Sequence, residues 1–345
     1  MARTHRLSLA GIINRGLSPF GVQLLSNATL AHLKALEAKV LAGTASRAAE
    51  PPGMVDPQAV TQRLDRVEEA LRGSIRYAMK AHWGTIDLLE AAMGGTVPLH
   101  CALCGQPGDG APFEPLVSAC QFLGGRLLRH KCPNCEVVFG PQKMLRLDQE
   151  MVDLEYRNLY QIYSEGDSAE STIRTFHLLR PRRDGTYLDF GCGGAWSAAI
   201  TKLRSEGWNI WGFEPSAPIA SDHVFGTWEE IEQRNFDGIL SHNVLEHLFD
   251  PIGTTKRLAA RLKPGGRLIH ATPCFEYRYD FSHLHVFFFT GRSPEVLAAN
   301  AGMRIQGWER QDEYIACILE KNSLPSASTG LVAQSLAASL PSISP

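Results

Sequence analysis

The stretch Tyr187-Leu188-Asp189-Phe190-Gly191-Cys192-Gly193-Gly194-Ala195 decides how the rest of the chain is read. It opens as a short apolar strand that closes on an acid. A glycine-rich turn follows, and then a helix from about Trp196 to Arg204. In an open α/β sheet the crevice beyond the carboxyl end of such a strand receives nucleotide-like ligands. Glycines let a ligand approach the backbone, and the next helix presents unpaired N–H groups suited to an anion such as a carboxylate.

Two ligand classes use a turn of this kind. A dinucleotide fingerprint, G-x-G-x-x-G, needs a third glycine where this chain has Trp196, which argues against NAD. The other is S-adenosylmethionine, which has a cationic amino-acid end and a ribose but no pyrophosphate. Asp189 is placed to hold the ammonium side. Glu214 ends the next predicted strand, Trp208-Asn209-Ile210-Trp211-Gly212-Phe213, and lies 20 residues past Gly194. That position suits a carboxylate accepting both ribose hydroxyls.

Further along come Asn243-Val244-Leu245-Glu246-His247-Leu248-Phe249-Asp250-Pro251 and Leu262-Lys263-Pro264-Gly265-Gly266. These pieces, in this order, resemble a class I S-adenosylmethionine-dependent methyltransferase over about residues 170–320. The resemblance implies that Asp189, Gly191, Cys192 and Gly193 line the methionine end and that Glu214 holds the ribose. It also implies that Ser241, His242, Asn243 and Leu245 flank the adenosine and the transferred methyl. The adenine-side acid of that family has no counterpart here, where Thr227 or Trp228 stands, so backbone and stacking are expected to hold the base.

The fold expected is α/β: a Rossmann-like, mostly parallel, seven-stranded sheet. Its strands are predicted at 186–190, 208–213, near Val224-Phe225, and at 237–241, 267–271, 303–309 and 313–319, alternating with helices. A small zinc ribbon-like module and an α-helical N-terminal region precede it. The domains read as 1–97 (helical, with a linker at 43–56), 98–145, 146–321, and a disordered Ser/Ala/Pro-rich tail at 322–345. Tyr156, Tyr160 and Tyr163 share one helical face and read as core.

Cys101-x-x-Cys104 and Cys132-x-x-Cys135 carry the module. Two knuckles of two thiolates make a closed four-sulfur site, which points to a structural zinc with no open position for catalysis. The remaining four of eight cysteines are scattered, as suits a reducing, cytoplasmic compartment rather than a disulfide framework. Paired knuckles just before such a domain are similar to bacterial sugar methyltransferases with an N-terminal zinc-binding module. The phrase from Ile13 to Leu24 resembles one in methyltransferases that accompany polysaccharide biosynthesis.

Methyl transfer to a hydroxyl benefits from a base, and His283, His247 and His285 are the candidates. In ubiquinone-type O-methyltransferases the counterparts of Glu246 and His247 help bind a divalent metal together with an acid three residues before the glutamate. Asn243 stands there in this chain, so no catalytic metal is expected. Phe281-Ser282-His283-Leu284-His285-Val286-Phe287 looks like the H-E-H-L-x-Y-F phrase of sugar C-methyltransferases, with Ser282 in place of the glutamate, which favours O-methylation. Tyr277 and Tyr279 are candidates for contact with a sugar face.

The reading is therefore a methyltransferase acting on a sugar, sugar nucleotide or polysaccharide. The alternatives are action on RNA or another small molecule, sugar C-methylation, and a non-catalytic scaffold. A net charge of −2 gives no electrostatic footprint for nucleic acid, and no apolar run is long enough to span a membrane. Val60, Leu64, Val67 and Leu71 follow a 4-3-4 spacing, so the helix at 57–92 is a candidate for homo-oligomer formation.

Overall fold

A computed structural model describes residues 57–93, 99–108, 112–163, 166, 168–193, 197–215 and 221–321. The expected N-terminal helix, the 43–56 linker and the tail lie outside these. A long helix, α1 (Pro57–Met93), comes first. Three short strands follow: β1 (Glu114–Ala119), β2 (Arg126–Lys131) and β3 (Val138–Phe139). Helices α2 (Gln142–Leu145), α3 (Gln149–Tyr160) and α4 (Ala169–Leu178) lead into the large sheet. Asp148 caps α3 by accepting from Met151 N at 2.9 Å.

The large sheet is built from β4 (Tyr187–Phe190), α5 (Ala198–Ser205), β5 (Ile210–Phe213), β6 (Val224–Phe225), α6 (Trp228–Glu232) and β7 (Phe236–His242). It continues through α7 (Pro251–Ala260), β8 (Leu262–Ala271), α8 (Ser293–Asn300), β10 (Met303–Gln311) and β11 (Tyr314–Lys321). Its seven strands run in the order β10-β11-β8-β7-β4-β5-β6. The five from β6 to β8 are parallel, and β11 is antiparallel to both β8 and β10. All seven predicted strands are present. Strand β8 starts five residues before the predicted position because Leu262 already pairs with Phe236, ahead of an irregularity in the β7 register.

Strand order reverses about β4, which has β5 on one side and β7 on the other. In an open sheet this switch point leaves a crevice beyond the strand ends. All of β4 is buried, as befits a central parallel strand.

A second sheet has the order β1-β2-β3-β9. Its last strand, β9 (Phe287–Phe288), comes from the segment after β8, where Val138 pairs with Phe288 and Phe139 with Phe287. The cysteine module thus takes its fourth strand from the large domain, which its own sequence does not foreshadow. Tyr156 packs inward, but Tyr160 and Tyr163 are exposed, contrary to the core expectation. Their helical spacing defines a face without saying which side of it is covered.

Candidate active site

Asp189 ends up nearly fully buried at the switch point. Its Oδ2 has no hydrogen-bond partner among the described residues. Burial, with a smaller contribution from the Glu214 charge, pushes its pKa from 3.8 to about 7. A buried, half-ionised carboxylate is costly to keep unless a partner arrives. Glu214, partly exposed at the end of β5, accepts from Gly193 N at 3.2 Å.

The turn between these acids depends on its glycines. Gly191 has φ +75°, and a Cβ there would sit 2.5 Å from Val244 Cγ2. Gly193 has φ +79°, with open space where its Cβ would be. The backbone of Gly191 and Cys192 is tied to Phe213 O at 2.9 and 3.1 Å, which fixes the turn against β5. Ser197 then caps α5, accepting from Ile200 N. Beside the turn, Phe190 and Phe213 stack at 5.0 Å, with Trp228 tilted against both. Trp228 follows Thr227, whose capping box with Glu230 starts α6.

On the other side of the switch point, Ser241 turns its hydroxyl to buried His270 (2.7 Å), which also contacts Thr255 (3.3 Å). His242 is partly exposed and stacks on Tyr314, and burial lowers its pKa to about 4, so it is neutral near pH 7. Asn243 is exposed in the left-handed region at φ +54° and donates to Ala271 O. Leu245 is buried and opens a short 3-10 helix, Leu245–His247, in which Glu246 accepts from Thr272 Oγ1 at 2.7 Å.

The three candidate bases are differently placed. His283 is completely buried. Its Nε2 lies 2.8 Å from Glu155 Oε1 and its Nδ1 3.1 Å from Cys120 Sγ. Trp83 Nε1 donates to the same Glu155 oxygen at 2.8 Å. With both nitrogens engaged, His283 is not the open base expected of it. It is the hub of a network joining α1, β1, α3 and the insert. Burial opposes its charging, but Cys120 and Glu155 outweigh burial and raise its pKa. His285 Nδ1 is bonded to Tyr279 O at 3.0 Å, and burial above all holds the ring neutral. His247 is partly exposed, and its Nδ1 bonds Leu284 O at 3.0 Å. A carbonyl only accepts, so Nδ1 carries the hydrogen and Nε2 keeps its lone pair. His285 shares this arrangement, its Nδ1 lying on a carbonyl, but burial holds its charged form back, which leaves His247 as the candidate base of the three.

No local pattern marks Arg129, which is fully buried and donates to three carbonyls of the insert: Asp280 (2.7 Å), Ser282 (2.6 Å) and His285 (3.1 Å). Tyr277 packs edge-on against Phe288, and Tyr279 donates to Glu313. Glu246, Cys274 and His285 have donor atoms within 4.8 Å of one another. The Arg129 cation beside this group, bonded to His285 O, disfavours a second cation there.

The four module cysteines do converge, with all ligand atoms within 4.8 Å of one another. Cys101 and Cys135 sulfurs are 3.6 Å apart, as are those of Cys104 and Cys132. A tetrahedron with metal–sulfur bonds of about 2.3 Å has sulfur–sulfur edges of about 3.8 Å, so the donor set fits. Gly105 and Glu136, each following the second cysteine of its pair, are left-handed at φ +74° and +67°. Their N–H groups close the knuckles on Cys101 O and Cys132 O at 2.9 Å.

A family model described as a methyltransferase domain matches residues 165–307. A ubiquinone biosynthesis O-methyltransferase of Ruegeria pomeroyi is 32% identical over 125 residues, which is 32% of this chain and 48% of that protein. One of Parvibaculum lavamentivorans is 32% identical over 107 residues, 27% of this chain and 42% of that protein. The chain thus spans about half the length of these curated relatives. Among solved structures, a Burkholderia thailandensis 1,6-didemethyltoxoflavin-N1-methyltransferase shares 15% identity at a TM-score of 0.41, covering 61% of this chain and 100% of that one, too distant to argue from. The family model thus covers less than half of the chain, and the matched residues contain the switch-point acids and the glycine turn.

Proposed function

We propose that this chain is an S-adenosylmethionine-dependent O-methyltransferase whose acceptor is a sugar, sugar nucleotide or polysaccharide. The observation that carries the methyl-donor reading is the pair Asp189 and Glu214 across the glycine turn at the switch point. Among the described residues, one Asp189 carboxylate oxygen has no hydrogen-bond partner and nothing lies within 4 Å of where a Gly193 Cβ would be. A cationic ammonium at Asp189 offsets the cost of the buried charge. Glu214 suits the ribose hydroxyls, and the partly exposed Trp228, tilted against buried Phe213, is the aromatic beside the turn for an adenine. When bound, S-adenosylmethionine supplies the methyl group by in-line displacement at its sulfonium.

The chain's own residues position the reactants, which accounts for much of the catalysis in such reactions. His247 Nε2 accepts the hydroxyl proton, while the Leu284 carbonyl fixes the tautomer. The four-cysteine cluster holds a structural zinc. The acceptor class rests on the resemblance to sugar methyltransferases with a zinc module and on the phrase from Ile13 to Leu24. The ubiquinone biosynthesis enzymes among the relatives support transfer to oxygen.

Isothermal calorimetry with S-adenosylmethionine tests the donor, and absence of binding sinks the proposal. Transfer of labelled methyl groups over a panel of sugar nucleotides and whole polysaccharide then tests the acceptor. Labelling confined to RNA or to a quinone precursor rejects the sugar reading.

A further inference from the structure

Helix α1 shows two opposite faces. One is tied to the body: Met79 and Trp83 are buried, Ile75 and Ile86 pack on the core, and Asp87 pairs with Lys143 at 2.6 Å. The other bears apolar residues that the described chain leaves exposed. Val60 is 40% exposed, Leu64 63%, Val67 52%, Leu71 49% and Leu88 74%.

These five residues fall in one heptad register. With Leu64 at position a, Val60, Val67 and Leu88 are at d and Leu71 is again at a. Between them, Ser74, Ala78, Ala81 and Thr85 fill the remaining a and d positions with small side chains that permit close helix approach. The register therefore runs unbroken for four heptads from Val60 to Leu88. The body-facing Met79, Trp83 and Ile86 fall at b and f, on the far side of the helix. The seam thus points away from the body over Val60–Leu71 and at Leu88, while in its middle Ile75, at e, and half-buried Ala78, at a, lie at the border with the body.

The flanking positions show what fits the seam. In a parallel, in-register arrangement a g residue meets the e residue five positions on in the neighbouring helix. Arg63 at g then faces Glu68 at e of the neighbour. Tyr77 at g, 77% exposed, faces His82, and Gly84 faces Leu89, which is 57% exposed. An antiparallel arrangement pairs g with g and e with e and loses the Arg63–Glu68 match. Within one chain, Glu68 accepts from Arg72 at 2.8 Å, an exposed pair that exchanges partners at little cost.

We propose that the Val60–Leu88 seam of α1 is an oligomerisation surface whose occupant is another copy of this chain, parallel and in register. A leucine at a with a β-branched residue at d favours more than two strands. The assembly leaves each methyltransferase domain on the outside of the coil, joined to it by the opposite face of α1.

The test is light scattering on the full-length protein after gel filtration, with circular dichroism as the folding control. The parent is expected to run as an oligomer, and Leu64→Glu/Leu71→Glu as a folded monomer. Both residues are exposed in the single chain, so the double variant has no core to break. Arg63→Glu and Glu68→Arg each weaken assembly at low salt, and the combined charge swap restores it. A monomeric parent overturns the proposal. An oligomer whose mass ignores the leucine substitutions overturns it too, as does one whose single charge variants are not rescued by the swap.

Discussion

Replacing Asp189 with asparagine is expected to stabilise the protein while weakening its hold on S-adenosylmethionine. The carboxyl pKa rises from 3.8 to about 7 on folding, chiefly through burial. The folded protein therefore keeps a proton that the unfolded chain loses across that window. The penalty for the charged form is absent below about pH 4, grows as pH rises, and is complete above about pH 7. About three pH units at 1.36 kcal/mol each make an upper bound of about 4 kcal/mol. At roughly 2–4 °C per kcal/mol for a domain of this size, Asp189→Asn gains at most about 8–16 °C in Tm at pH 8 and nothing at pH 4.

The same substitution removes the charge that meets the ammonium group. A hydrogen bond to a charged group contributes about 1.5–3 kcal/mol, so binding is expected to weaken by roughly tenfold to more than a hundredfold. Thermal melts between pH 4 and 8 read the first effect. Calorimetry in two buffers of different ionisation enthalpy reads the second, including the proton released when the cation binds below pH 7. A variant that melts no higher than its parent at pH 8, or binds the donor equally well, refutes the reasoning.

Four further outcomes follow from the geometry. Glu214→Gln is expected to weaken donor binding by about tenfold to a hundredfold, read by calorimetry, with Tm nearly unchanged because the side chain is partly exposed. The purified protein is expected to carry one zinc per chain by elemental analysis, and Cys132→Ser to lose both the metal and the cooperative melt. Cys120 sits 3.1 Å from His283; burial raises its pKa, but the imidazole and the Phe122 N–H outweigh burial and lower it. Its alkylation by iodoacetamide should therefore set in at a lower pH than that of an ordinary thiol, and His283→Gln should move the onset back up. Arg129→Met leaves insert carbonyls unpaired and is expected to cost about 3–5 kcal/mol by denaturant titration.

Much of the large sheet is legible in the sequence because its parallel strands are continuous apolar runs, each closed by a glycine or an acid. Asp189, Glu214 and the glycine positions could be read for the same reason, since local chain order places them at strand ends. The candidate bases could not be ranked that way. What occupies the nitrogens of His283 is Glu155, 128 residues away, and Cys120, 163 residues away, and no local pattern announces either. Burial lowers the His242 pKa, and Tyr314 of β11 stacks on the ring, a contact made by sheet order rather than spacing. Strand β9 leaves no mark in the sequence, because two phenylalanines pairing across to β3 have no period.

The small sheet and the large domain meet in a way that explains why the cysteine module precedes this domain. The insert after β8 carries all the residues from Tyr277 to His285 singled out for acceptor contact. The N-terminal half holds it at many points: Arg129 on three of its carbonyls, Cys120 and Glu155 on His283, and β3 on β9. The two knuckles lie at the base of that sheet, since Cys132 follows β2 by one residue and Cys135 precedes β3 by three. His247, in turn, takes its tautomer from Leu284 of the same insert. A metal bound at the knuckles would order β2 and β3, then the insert, and through Leu284 the proposed base, His247. The donor site at β4 and β5 has no member in this chain of contacts. Loss of zinc should accordingly raise the acceptor KM and lower kcat before it changes the affinity for S-adenosylmethionine.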